Sequence, residues 1–179
     1  MNKRFQYLNT LTWILILIVP FLLQEIGLIN ITEYRISKLN GWTSIFTGTF
    51  LHAGYSHVMG NATMILLGTA LMSVFYKKMY FPVIIAGLLV PSITMYYLGL
   101  NSVGISGLCY ALVWFLILRG LMCQKKWRFP LACILLIFYG RSLQTVYPPL
   151  DPFTFIAWQA HLAGLLTGFV LAIYDRILS

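Results

Sequence analysis

Acidic residues are almost absent from this chain of 179 residues: Glu25, Glu33, Asp151 and Asp175 are the whole set. That scarcity excludes the two facing carboxylates of an aspartyl protease and leaves no acid deep enough within a span to complete a buried Ser-His-Asp triad. Cysteine is nearly as rare. Cys109, Cys123 and Cys133 lie within or at the ends of apolar runs, without the paired spacing of a metal site, so they read as small apolar fillers rather than disulfides or metal ligands. No H-E-x-x-H motif is present, which disfavours a zinc protease. Internal repeats, low-complexity tracts and paired charges in mid-run are also missing, which argues against a transporter.

What the chain has in abundance is apolar surface. It is 60% hydrophobic and 9% charged, with a mean hydropathy of +0.84, the composition of an integral membrane protein. A hydrocarbon core of about 30 Å takes roughly 20 helical residues to cross. Six runs approach that length, near residues 8–25, 56–76, 79–99, 105–122, 129–146 and 155–174. Because lipid offers the backbone no hydrogen-bond partners, they predict an all-α polytopic bundle of six transmembrane helices, one membrane domain spanning residues 1–179. The first run follows Lys3 and Arg4 as a signal peptide would, but it continues to Gln24-Glu25 without a small-residue cleavage pattern and reads as a retained helix. The stretch 24–49 is the one sizeable loop.

A net charge of +8 would suit a nucleic-acid partner, but the basic residues are distributed by membrane side. Lys3, Arg4, Lys77, Lys78, Arg119, Lys125, Lys126, Arg128 and Arg176 fall at one face, against Arg35, Lys38 and Arg141 at the other. The bias predicts cytoplasmic termini, the 24–49 loop outside, a bilayer rather than nucleic acid as the partner, and contact with anionic lipid as a lesser consequence.

Polar side chains inside spans are costly, so they mark function or a specific partner. In HAGYSHVMGN, His57 and Asn61 are one helical turn apart on one face. In GISGLCY, Ser106 opens the fourth run and Tyr110 lies one turn below it. His161 sits about six residues below the expected start of the last helix, a depth of about 9 Å. These three helices run in the same direction, so a serine, an asparagine and two histidines lie at one level and can converge. Gly164 and Gly168, one turn apart after His161, have the spacing that lets helix backbones approach, and Gly104, Gly107 and Ala111 offer the same on the serine helix. Taken singly, Ser106 could be a helix cap, Asn61 interhelical glue, Tyr110 packing, and His52 an interfacial residue bonded to loop carbonyls. Independent caps and glue would have no reason to share a depth.

Acyl transfer needs a nucleophile, a base and donors aimed at a developing oxyanion. Ser106 suits the first role and His161 the second, with His57, Asn61 and a backbone N–H as donors. With no acid available the pair is a dyad, whose imidazole Tyr110 could orient by aromatic packing. A haem protein using His57 and His161 as axial ligands is the rival from another class, and it leaves Asn61 and the Gly-x-Ser-Gly turn without purpose. No cofactor or metal is otherwise called for.

The combination His52-x4-His57-x3-Asn61, Gly104-Ile105-Ser106-Gly107 with Tyr110, and Ala160-His161-Leu162-Ala163-Gly164-x3-Gly168 resembles the rhomboid family of intramembrane serine proteases. The likeness runs from about residue 43 to the C-terminus. It implies Ser106 as nucleophile, His161 as base, His57 and Asn61 as oxyanion donors, and His52 as a loop-holding residue. It also implies a minimal six-helix core and, as substrates, transmembrane proteins cut near their outer boundary. Members usually carry Trp-Arg nine residues before the first histidine; this chain has Thr43-Ser44, with Trp42 one place earlier. The family includes inactive members, which makes a catalytically silent membrane-protein binder the nearest alternative. The proline-rich segment Tyr147 to Phe155 is expected to act as a lid over the site.

Overall fold

A computed structural model describes residues 3–123, 127–149 and 156–178. Among the described residues there are eight α-helices: α1 (Lys3–Glu25), α2 (Ile31–Tyr34), α3 (Ser44–Thr47), α4 (Tyr55–Phe75), α5 (Tyr80–Leu98), α6 (Ser106–Leu121), α7 (Arg128–Tyr139) and α8 (Trp158–Ile177). Three helical stretches are long and apolar enough to cross a membrane, by length and composition: Tyr55–Phe75, Lys77–Leu98 and Trp158–Ile177. Leu11–Glu25 and Ser106–Leu121 are shorter apolar helices. The protein is an all-helical integral membrane protein.

α6 is the axis of the bundle. All of its residues except Leu118 and Leu121 are buried, because α4, α5, α7 and α8 pack around it while α1 packs on α4. Leu112, Phe115 and Ile117 are fully enclosed at its centre. The closest approach is between α6 and α8. A Cβ placed on Gly168 would lie 2.5 Å from the Ala111 carbonyl oxygen, and one on Gly164 would overlap the Gly107 carbonyl, so any side chain at either position would force the two backbones apart. At the opposite end from Ser106 the same two helices are tied by a partly buried ion pair, Arg119 Nε to Asp175 Oδ2 at 2.5 Å.

The stretch 24–49, expected to be a loop, is locally structured. It carries α2 and α3, and 3-10 turns at Lys38–Asn40 and from Gly48 onward. Short polar residues build it: Asn30 Oδ1 accepts from Thr32 N at 3.0 Å to cap α2, and Ser44 Oγ accepts from Ser37 N at 3.2 Å. Gln24, at the end of α1, makes a two-way bond with the backbone of His52, donating to its carbonyl (2.5 Å) and accepting from its N–H (3.3 Å). An isolated antiparallel bridge pairs Ile36 with Ser102, fastening this segment to the chain just before α6.

Two expected helix boundaries move. The run 129–146 is α-helical only to Tyr139 and continues as a 3-10 turn through Gly140–Thr145. The last helix starts at Trp158, because Ala157 (φ −75°, ψ 61°) forms a tight turn in which Trp158 N donates to Ile156 O at 2.8 Å. His161 is therefore three residues below the helix start rather than six, a depth of about 4.5 Å instead of about 9 Å. Residues 150–155 of the expected lid segment lie outside the described residues.

Candidate active site

The serine sits where the chain turns into α6. Gly104 has φ +107°, a conformation that side-chain-bearing residues rarely adopt, and its missing Cβ leaves space for the His57 ring: a Cβ there would meet His57 Cε1 at 2.7 Å. Gly104 N donates to Gly48 O at 3.0 Å, which anchors the turn from the other side. Ser106 is the first residue of α6. The N–H groups of a helix's first turn have no intrahelical acceptor and point toward the region in front of it.

His161, on α8, comes to the serine across the close α6–α8 contact. Its Nε2 is 3.0 Å from Ser106 Oγ, and its Nδ1 is 3.0 Å from the carbonyl oxygen of Thr145. A carbonyl can only accept, so Nδ1 carries the proton and Nε2 presents its lone pair to the serine hydroxyl. The backbone of the 3-10 turn after α7 thus occupies the place an aspartate would take in a triad. The Tyr110 ring lies flat on the imidazole, with centroids 4.4 Å apart and planes 9° from parallel. Tyr110 is fixed in turn through its hydroxyl, which meets the Thr145 hydroxyl and, at 3.2 Å, the Ser142 carbonyl.

On the other side of the serine stand the α4 residues. His57 lines the same cavity as Ser106 and His161. Asn61 is buried, and its Oδ1 accepts from Cys109 Sγ at 3.5 Å, which directs the amide nitrogen the other way. That Nδ2 is buried without a hydrogen-bond partner, 3.7 Å from where a Gly104 Cβ would be. An unpaired buried amide donor is costly, and here it lies beside the turn that presents the serine. His52 is fully enclosed, its ring edge-on to His57 at 5.2 Å. Burial, with His57 nearby as a lesser cause, pushes its pKa down to about 4.

The structure brings together Ser106, His161, Tyr110, His57, Asn61 and Gly104, with Gly107, Gly164 and Gly168 at the helix contact that sets their spacing. His52 is set back from the cavity. Two features of the site were not foreseen from sequence, the Thr145 carbonyl on His161 and the Arg35 side chain in the cavity lining. A backbone acceptor leaves no residue-type signal, whereas Arg35 is visible as one of few cations on its side of the chain. The cavity in front of the serine measures about 590 Å³, room for several water molecules or a short extended peptide. The arrangement can move a proton from Ser106 to His161 and can donate hydrogen bonds to an oxygen placed near the α6 N-terminus.

A rhomboid domain is recognised over residues 38–177. An uncharacterized protein of Mycobacterium bovis is 26% identical over 172 residues, covering 90% of this chain and 72% of that protein; one from Mycobacterium tuberculosis matches to the same extent. An uncharacterized protein of Mycobacterium leprae is 35% identical over 72 residues, 40% of this chain and 28% of its own length. With the domain matched over most of its length, this chain belongs to the rhomboid family.

Proposed function

We propose that the protein is an intramembrane serine endopeptidase that cleaves transmembrane segments near the outer boundary of the membrane. The observation that carries this reading is the hydrogen bond of His161 Nε2 to Ser106 Oγ while Nδ1 is held by a backbone carbonyl. In the reaction, Ser106 Oγ attacks the scissile carbonyl carbon and its proton passes to His161 Nε2. The imidazolium formed is stabilised by the Thr145 carbonyl on Nδ1–H and by the Tyr110 face. The oxyanion accepts from Asn61 Nδ2, His57 and the first N–H groups of α6. As the intermediate collapses, the C–N bond breaks and His161 returns the proton to the leaving amine. Water from the cavity, activated by His161, then hydrolyses the acyl-enzyme.

In this reading residues 1–179 form one membrane domain with six crossings, α1, α4, α5, α6, α7 with its 3-10 extension, and α8. Both termini are cytoplasmic and the cavity opens outward, as the bias of the basic residues favours. The substrate is a transmembrane helix whose end unwinds into the cavity, since a helical peptide bond is shielded and an extended one is not. The haem alternative fares worse against the geometry, because both nitrogens of His161 are already engaged. The test is cleavage of a fluorescent single-span reporter by purified protein in vesicles. Cleavage that disappears in both Ser106→Ala and His161→Ala supports the proposal, and a folded protein that cleaves no reporter favours the silent binder.

A further inference from the structure

Arg35 takes no part in the chemistry above, yet it lines the same cavity as Ser106 and His161. Among the described residues of that lining it alone carries a permanent charge. Its Nε is buried without a hydrogen-bond partner. The nearest acid in sequence, Glu33, is exposed and accepts from Asn30 Nδ2 at 3.0 Å. A guanidinium partly stripped of water, with no carboxylate bonded to its Nε among the described residues, is poised for an incoming acceptor.

The placement is built into the backbone. Arg35 N donates to Ile31 O at 2.9 Å, its carbonyl accepts from Asn40 Nδ2 at 3.0 Å, and the next residue, Ile36, forms the two-bond bridge to Ser102. Antiparallel register sets Arg35 alongside Val103. Val103 is three residues before Ser106, a span of at most about 11 Å. A substrate strand whose scissile carbonyl is at Ser106 therefore presents side chains two to four residues away within reach of the guanidinium.

We propose that Arg35 forms an acidic-residue subsite, so that the cavity selects transmembrane segments carrying an aspartate or glutamate two to four residues from the cleaved bond. This rests on the peptidase reading and names its substrate class. Arginine pairs with a carboxylate through two parallel N–H···O bonds, strongest where water is partly excluded. A carboxylate at the edge of a transmembrane helix is poorly accommodated by hydrocarbon, so a wet cavity with a cation draws that end of the helix out of the lipid. A phospholipid phosphate has similar acceptor chemistry. The peptide is favoured because the cation and the serine share one cavity.

The experiment uses full-length protein in phosphatidylcholine vesicles and pairs of fluorescent transmembrane peptides differing by Glu or Gln at the second, third or fourth residue on either side of the cleaved bond. Binding is measured on Ser106→Ala protein, which needs no turnover, and kcat/KM on protein with Ser106 intact. The expected result is about tenfold preference for glutamate at one of these positions in both measurements. That preference should fall toward unity in Arg35→Gln, survive in part in Arg35→Lys, and invert toward a lysine-bearing peptide in Arg35→Glu, with melting temperatures confirming folded protein. Equal binding of every pair overturns the subsite, and if cleavage proceeds it leaves the peptidase reading standing. Glutamate preference in binding with no cleavage supports the subsite and removes the peptidase. An Arg35-dependent response to phosphatidylglycerol, with no discrimination between peptides, overturns the proposal in favour of a lipid headgroup.

Discussion

Gly168→Ala perturbs the helix contact on which the geometry of the dyad depends. A Cβ at this position would lie 2.5 Å from the Ala111 carbonyl oxygen and 2.9 Å from the Phe115 nitrogen. Ordinary contact begins near 3.5 Å, so α8 must move away from α6 by about 1 Å. Both obstructing atoms belong to the α6 backbone, so no side-chain rotation relieves the overlap. His161 lies two turns up the same helix, and its 3.0 Å bond to Ser106 lengthens with the displacement. Misplacement on that scale lowers turnover by about 100-fold, and overpacking costs about 1–3 kcal/mol of stability. The assay is kcat on a reporter peptide beside thermal unfolding in detergent, with the exposed Val170→Ala on the same helix as the control expected to change neither. Normal turnover together with normal stability in Gly168→Ala would refute the reasoning.

Asn61→Ala should lower kcat by about 10²- to 10³-fold with a smaller change in KM, since the amide is assigned to the oxyanion and not to ground-state binding; loss of stability with unchanged kcat would return it to helix packing. Tyr110→Leu should slow turnover by about tenfold through loss of the imidazole stack, while Tyr110→Phe keeps most of it, as steady-state kinetics on the two variants will show. His52 is buried with its folded pKa near 4, below the ordinary 6.5, so the unfolded chain binds the extra proton first. Its contribution to stability is therefore complete above pH 6.5 and is lost as pH falls toward 4, by up to about 3 kcal/mol. Unfolding measured across that range should show a shallower decline in His52→Gln.

Much of the helical framework was legible because apolar runs in a membrane protein have few alternatives to helix: each of the six predicted runs overlaps a helix of the structure. The meeting of Ser106 with His161 was legible for a related reason, since polar groups at one level of parallel spans have few other places to go. Helix ends were less legible. Trp158 begins α8 because of a turn at Ala157, a local backbone preference that the apolar pattern does not encode. The links between segments were not legible at all. Gln24 to the His52 backbone, Ile36 to Ser102 and His161 to the Thr145 carbonyl join residues far apart in sequence through backbone atoms, which every residue type shares. Arg35 was read only as a topological charge, and its position in the cavity follows from the Ile36–Ser102 bridge.

The central claim is that Ser106 is a nucleophile activated by His161 within an open, wet cavity. The most direct measurement is intact mass spectrometry of the purified protein after exposure to a fluorophosphonate, followed by peptide mapping. One adduct on Ser106, formed much more slowly in His161→Ala and absent in Ser106→Ala, is the predicted result. A folded protein that stays unmodified at Ser106, or one labelled equally fast without His161, would contradict the account.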